Sequence, residues 1–168
     1  IADAQHANGA VPTTAPEYVV FEGPGMDAFA ESPEWGCTFV VLPFMYYETY
    51  GDDSLIRKYY NGMRRYIDYM TTRANDGIVS FGLGDWYDYG DFRAGFSRNT
   101  PVPLVATAHY YMVVRYLVEA ARMLDNRYDV AYYTHLGEEI NKAFHREFYH
   151  KDTRQYGTGS QCSNALPL

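Results

Sequence analysis

The residues best equipped for chemistry lie in one stretch, Gly82-Leu83-Gly84-Asp85-Trp86-Tyr87-Asp88-Tyr89-Gly90-Asp91-Phe92, where acids alternate with aromatic rings between glycines. Such a set suits a polyhydroxylated ligand: a carboxylate accepts hydrogen bonds from neighbouring hydroxyls, an indole face covers the apolar face of a pyranose, and glycine lets the backbone come close. The same composition fits a solvated, turn-rich loop whose rings pack on one another. It also admits a Ca²⁺ site from Asp85, Asp88 and Asp91, although this spacing lacks the alternating ligands and closing Glu of an EF-hand loop.

A second stretch, Asp27-Ala28-Phe29-Ala30-Glu31-Ser32-Pro33-Glu34-Trp35-Gly36, sets acids and a tryptophan at the mouth of an apolar segment. Glu31 and Glu34 have the chemistry of a glycosidase acid and base. A local account fits as well, with Ser32 as an N-cap, Pro33 in the first turn and the acids near the positive end of the helix dipole. His109, beside Tyr110 and Tyr111 in an apolar run, reads as a hydrogen-bonded core residue. Gly82 and Gly84 lack the third glycine and the preceding strand of a dinucleotide fingerprint. Cys37 and Cys162 have neither CxxC spacing nor neighbouring histidines, so neither a zinc site nor a disulfide scaffold is indicated, and nothing calls for a cofactor.

Helices must position these residues. From Trp35 to Tyr50 the chain is apolar on almost every side, as in a helix surrounded by others, with Pro43 removing one rung of its hydrogen-bond ladder. Gly51 offers a left-handed stop, and Asp52 or Asp53 a cap for a second helix running to about Arg73. In that helix Leu55, Tyr59, Met63, Tyr66 and Met70 form an apolar stripe, while Arg57, Lys58, Arg64, Arg65 and Asp68 fall largely on the other side. The plan then repeats: an apolar helix from about Val102 to Leu124, a turn at Asp125-Asn126, and an amphipathic helix with Val130, Tyr133, Leu136, Ile140 and Phe144 inward and Glu138, Glu139, Lys142 and Arg146 outward. Asn126 and Asp129 resemble a capping pair. Turns within a hairpin are short, whereas the segments 7–34, 74–101 and 149–159 are long, which places the long loops at one end as the working face. The fold class expected is all-α, helical hairpins forming part of an (α/α)6 toroid, over a single unit spanning residues 1–168.

The chain's 168 residues are 47% hydrophobic, enough for a real core in one compact unit. Its net charge of −7, with no run of Lys or Arg, argues against nucleic acid as a partner. The longest apolar stretch, Phe39 to Met45, is far short of the roughly 20 residues of a membrane span. A start at Ile1-Ala2-Asp3-Ala4-Gln5 and an end in what reads as a new helix after Ser163 suggest an internal piece of a longer protein.

The motifs follow a familiar order: Ile1-Ala2-Asp3-Ala4-Gln5, Gly9-Ala10-Val11-Pro12, Ala15-Pro16, Pro33-Glu34-Trp35-Gly36, Leu42-Pro43-Phe44, Tyr50-Gly51-Asp52, Gly84-Asp85-Trp86, Thr107-Ala108-His109-Tyr110-Tyr111 and Ser160-Gln161-Cys162-Ser163-Asn164-Ala165. In this order they resemble the catalytic domain of glycoside hydrolase family 78, the α-L-rhamnosidases. The resemblance spans nearly the whole chain and implies an (α/α)6 barrel that hydrolyses terminal α-L-rhamnosides with inversion, often outside the cytoplasm. It implies that Trp35 and Trp86, the only tryptophans here, line the rhamnose subsite, with Asp85 as a hydroxyl acceptor. It also implies a general acid upstream of Ile1 and a general base downstream of Leu168, so that these residues alone carry no catalytic pair. Where members of the family usually carry an acid, this chain has Cys37, a departure that bears on sugar specificity. Other readings of the same sequence are another (α/α)6 carbohydrate enzyme, such as a lyase, and a non-catalytic carbohydrate-binding or helical scaffold domain. Removal of neighbouring hairpins would bare apolar faces and invite self-association.

Overall fold

The computed structural model describes residues 1–168 and is built from two helical hairpins. After a 3-10 turn at Ala2–Ala4, the first long connection contains a short helix α1 (Asp27–Ala30) and leads into α2 (Pro33–Gly36), α3 (Thr38–Tyr50) and α4 (Ser54–Arg73). The second contains an antiparallel hairpin of β1 (Asp88–Gly90) and β2 (Phe92–Gly95), followed by α5 (Val102–Met123) and α6 (Arg127–Phe148). A two-residue ribbon of β3 (Tyr149–His150) and β4 (Gln155–Tyr156) then precedes α7 (Gln161–Ala165).

Helix ends follow the side chains available to satisfy them. Gly51 closes α3 in the left-handed conformation (φ 68°), where its amide bonds back to Tyr47. Asp52 accepts the amide of Ser54 at 2.8 Å, while Asp53 forms an ion pair with Arg57. Asn126 caps α6 by accepting the amide of Asp129, and its own Nδ2 donates to the Asp129 carboxylate at 2.9 Å. The expected capping pair is therefore present. The helix expected from Trp35 to Tyr50 is instead two, starting at Pro33 and divided at Cys37. Pro33 occupies the first helical position, where a missing N–H costs nothing. Pro43 stands inside α3 and leaves the carbonyl of Phe39 without its usual donor.

Helix α5 packs against α3, α4 and α6, and so forms the centre of the unit. The main core runs from Val40 and Phe44 through Ile56, Met63 and Ile67 to Val113, Leu117 and Ile140. The α4 stripe is rotated slightly from the expected one: Ile56, Tyr60 and Ile67 are buried, and Leu55 and Tyr59 lie at its edge. That rotation turns Arg64 towards α6. Asp129, buried there, accepts from the Tyr60 hydroxyl at 2.7 Å and lies 3.3 Å from Arg64 Nε, while Tyr133 donates to Asp68 at 2.9 Å. The hydrogen bonds give the Asp129 carboxylate and the Tyr60 and Tyr133 hydroxyls partners across the two outer helices, whereas Arg64 Nε is near Asp129 without a hydrogen bond. A smaller cluster of Leu104, Phe144 and Phe148, flanked by Tyr156 and Leu166, anchors the C-terminal segment.

Because both hairpins are antiparallel, the start of α3, the end of α4, the start of α5 and the end of α6 share one end of the unit. The three long connections meet there, through hydrogen bonds from Leu83 to Ser32, from Gly84 to Glu34, from Thr158 to Asn99 and between Thr100 and Ser160.

Candidate functional site

Trp35 projects from the first turn of the α2–α3 segment and is 37% exposed, unusual for so large an apolar side chain. With Val11, Pro12, Thr13, Thr38 and Phe39 it lines a cavity of about 360 Å³. Cys37 lies beneath it, buried, with its thiol donating to the Glu34 carbonyl at 3.2 Å. Burial, with Glu34 adding to it, pushes the Cys37 thiol up to about 11, so it is a packed group and not a nucleophile.

Trp86 follows the Gly82–Gly84 turn and is held edge-on by Phe29, Phe96 and Tyr87 at centroid separations of 5.4, 5.6 and 5.1 Å. Phe29 belongs to α1, so the first and second long connections share this aromatic cluster. Tyr87, Tyr89 and Phe96 around it stay exposed. Asp85 is half-buried, with the Thr100 hydroxyl 3.5 Å away, beyond a well-formed hydrogen bond. Its charge, after burial itself, raises the thiol pKa of nearby Cys162.

The acids of the two stretches take different parts. Asp88 is buried and accepts from the amides of Tyr89, Arg98 and Asn99 at 2.9, 2.6 and 2.7 Å and from Asn99 Nδ2 at 2.5 Å. These donors, the backbone amides of Arg98 and Asn99 foremost, hold its carboxyl below the usual carboxylate range. Asp91 sits exposed at the hairpin tip, and no group of three acids, histidines or cysteines is placed to hold a metal ion. Asp88 is surrounded by N–H donors, which a cation would have to displace, and this argues against the Ca²⁺ alternative.

Glu31 accepts from the Tyr69 hydroxyl and pairs with Arg73 at 2.5 Å, with the Arg73 guanidinium lying 4.5 Å over the Phe81 ring. Glu34 accepts the amide of Gly84, and its other oxygen is buried without a partner. Ser32 stands at the N-cap position but does not cap; its Oγ accepts the Leu83 amide at 2.8 Å instead. The local account thus holds for the placement of Ser32 at the N-cap, Pro33 at the first position and Glu34 in the first turn, but the Ser32 side chain does not cap; it and the Glu34 carboxylate reach across to the glycine turn. His109 is hydrogen-bonded as expected, with Nδ1 2.8 Å from the Val105 carbonyl, but it is half-buried at a groove and lies outside the core.

The structure thus places Trp35 on one turn and Asp85 and Trp86 on another, and the two turns are bonded at Ser32–Leu83 and Glu34–Gly84. Sequence reasoning did not find the roles of Ser32, Asn99 and Thr100. Their partners lie 51, 11 and 60 residues away for the bonds to Leu83, Asp88 and Ser160, so no local pattern signals them.

Comparison with known proteins gives one family. The model described as the bacterial alpha-L-rhamnosidase 6 hairpin glycosidase domain matches residues 1–168. An alpha-L-rhamnosidase of Formosa agariphila is 27% identical over 142 residues, covering 79% of this chain and 15% of its own length. Among solved structures, the alpha-L-rhamnosidase from Dictyoglumus thermophilum superposes with a TM-score of 0.84 at 27% identity, over 99% of this chain and 18% of that one. The Streptomyces avermitilis alpha-L-rhamnosidase complexed with L-rhamnose gives 0.80 at 25% identity, over 98% and 14%. The chain therefore spans less than a fifth of the length of each of these relatives.

Proposed function

Because the chain belongs to the bacterial α-L-rhamnosidase six-hairpin glycosidase family, we propose that it forms a sugar-facing part of an enzyme that hydrolyses terminal α-L-rhamnosides with inversion. Trp35 and Trp86 wall the rhamnose subsite, and Asp85 accepts a sugar hydroxyl. The main support is that the two tryptophan-bearing turns, far apart in sequence, meet at the end of the unit where the long connections converge. Both indoles keep exposed or half-exposed surface. The internal donors to Asp85 are the distant Thr100 hydroxyl and the weakly donating Cys162 thiol, which leaves acceptor capacity for a ligand.

An inverting glycosidase needs two carboxyl groups about 6.5–9.5 Å apart, one protonating the leaving oxygen and one activating water. The two acids nearest Trp35 do not suit either task. Glu31 is fixed by Arg73 and Tyr69, and Glu34 by the Gly84 amide. As the family resemblance implies, we place the acid and base in parts of the protein outside these 168 residues.

Hydrolysis of a panel of aryl glycosides by the full-length protein tests this. Selective cleavage of the α-L-rhamnoside is expected, with the β-anomer appearing first by NMR, while the 168-residue chain alone is inert. Trp35→Ala and Trp86→Ala are each expected to raise KM by about tenfold or more, since each removes a stacking face. Cleavage of a different glycoside would reassign the substrate. Cleavage of none would leave a lyase or a binding domain as the better description.

A further inference from the structure

The Ser32-Pro33-Glu34-Trp35 turn and the Gly82–Trp86 turn touch through an arrangement that the subsite residues themselves do not explain. Two consecutive amides, those of Leu83 and Gly84, donate to Ser32 Oγ and to the Glu34 carboxylate. The carbonyl of Gly84 then accepts the amide of Trp86 at 2.8 Å, closing a three-residue turn. A short chain of bonds thus runs from the residue before Trp35, through Gly84, to Trp86.

The backbone between them leaves no slack. A Cβ at Gly82 (φ +120°) would stand 2.8 Å from Glu34 Oε2 and 2.9 Å from both Pro33 Cδ and Ser32 Oγ. One at Gly84 (φ +72°) would meet Ser97 Cβ at 2.7 Å. Both glycines thus combine a left-handed backbone with close approach, and this lets the amides reach Ser32 and Glu34. Ser32 is 2% exposed, so its hydroxyl has no solvent to turn to if the Leu83 amide moves away.

We propose that Glu34, assisted by Ser32, is the positioning residue of the sugar subsite, clamping the turn that carries Trp86 to the turn that carries Trp35 and so fixing the relative placement of the two indoles. This rests on the assignment of those tryptophans to a rhamnose subsite. Glu34 also lines the cavity beside Trp35, but its carboxylate is committed elsewhere: Oε1 lies on the Gly84 amide, and Oε2 is shut off from solvent. What the Gly84 amide requires is an acceptor oxygen at Oε1, and a glutamine amide carbonyl provides one. Charge at residue 34 is therefore dispensable and the acceptor is not.

The experiment compares wild type, Glu34→Ala, Glu34→Gln and Ser32→Ala in the full-length protein, by amide hydrogen exchange of peptides covering residues 80–90 and by calorimetric binding of L-rhamnose. Glu34→Ala is expected to speed exchange at Gly84 to Trp86 and to weaken L-rhamnose binding by about tenfold, as for loss of a charged acceptor. Glu34→Gln should restore both to within about threefold, because only the charge assistance is lost. Ser32→Ala should speed exchange at Leu83 with a smaller loss of binding.

Unchanged exchange in Glu34→Ala would overturn the clamp. Faster exchange with unchanged L-rhamnose affinity would overturn its role in the subsite. Equal loss of affinity in Glu34→Gln and Glu34→Ala would also overturn it, since the charge would then act directly. If wild type bound another sugar and not L-rhamnose, the rhamnoside assignment would fail, while the exchange data would still decide whether the clamp exists.

Discussion

Asp88 shows how one carboxylate organises the lip beside Trp86. Its two oxygens collect three backbone amides and the Asn99 side chain, joining the start of β1 to the segment that leads into α5. An asparagine there would turn an NH2 towards donors that need an acceptor, so Asp88→Asn replaces attraction by a clash of like dipoles. The variant is expected to open the segment around Arg93 and Arg98, both exposed, and to raise the rate of tryptic cleavage there roughly tenfold. The pKa shift fixes the sign of the pH dependence. Asp88 is depressed in the folded chain, so its stabilisation is fully present above the unfolded carboxyl value of about 4 and is lost as pH falls through the lower folded value. Scanning calorimetry should therefore show the variant melting below wild type at neutral pH, with the gap closing on acidification.

At the scale of elements, two helical glycines that look alike in sequence are expected to respond in opposite directions to alanine. Gly137 lies within α6, and an added Cβ would meet Val114 Cγ1 at 3.6 Å and Tyr111 Cε2 at 3.8 Å, which is ordinary contact. Gly137→Ala should gain about 0.5–1 kcal/mol from reduced backbone entropy in the unfolded chain. Gly62 lies within α4, where a Cβ would come within 2.7 Å of the ring of Phe39, which is itself buried. Gly62→Ala should cost about 1–3 kcal/mol as overpacking between α3 and α4. Urea unfolding of the two variants checks both signs. The long helices were legible because α4, α5 and α6 are each at least 20 residues long and carry a repeating apolar face, with Gly51 and Asn126 marking ends. The α1 turn, the β1–β2 hairpin and the break at Cys37 were not, because elements this short are fixed by contacts such as Phe29 on Trp86 and Asp88 on Asn99. The same holds at the site. Trp35, Asp85 and Trp86 could be named from motif order, whereas the bonds joining their turns could not, since partners from Ser32 to Leu83 are 51 residues apart.

For the molecule as a whole, the question is what the apolar inner helices face. Helix α5 is covered by α3, α4 and α6, yet its His109, Met112 and Tyr116 line an apolar groove of about 370 Å³ with Leu166. Helix α3 turns Leu42 and Met45 outward at 45% and 55% exposure, alongside Tyr47 and Tyr50. Its sequence reads as a helix surrounded on all sides, but in this unit only some sides are covered. The family description specifies six hairpins and these residues form two, so in a closed toroid such faces would meet neighbouring inner helices. Contiguous apolar surface of this kind drives association when nothing covers it. The 168-residue chain on its own is therefore expected to self-associate and to bind a hydrophobic dye, with sedimentation equilibrium showing mass that rises with concentration. Leu42→Glu combined with Met45→Glu should reduce both association and dye binding while leaving the helical circular dichroism signal intact, because neither side chain contributes to the internal core. A chain that stayed monomeric and dye-free at every concentration would mean that α3 and α5 repack to hide these residues. The uncovered face would then belong to the inner helices only within the full toroid.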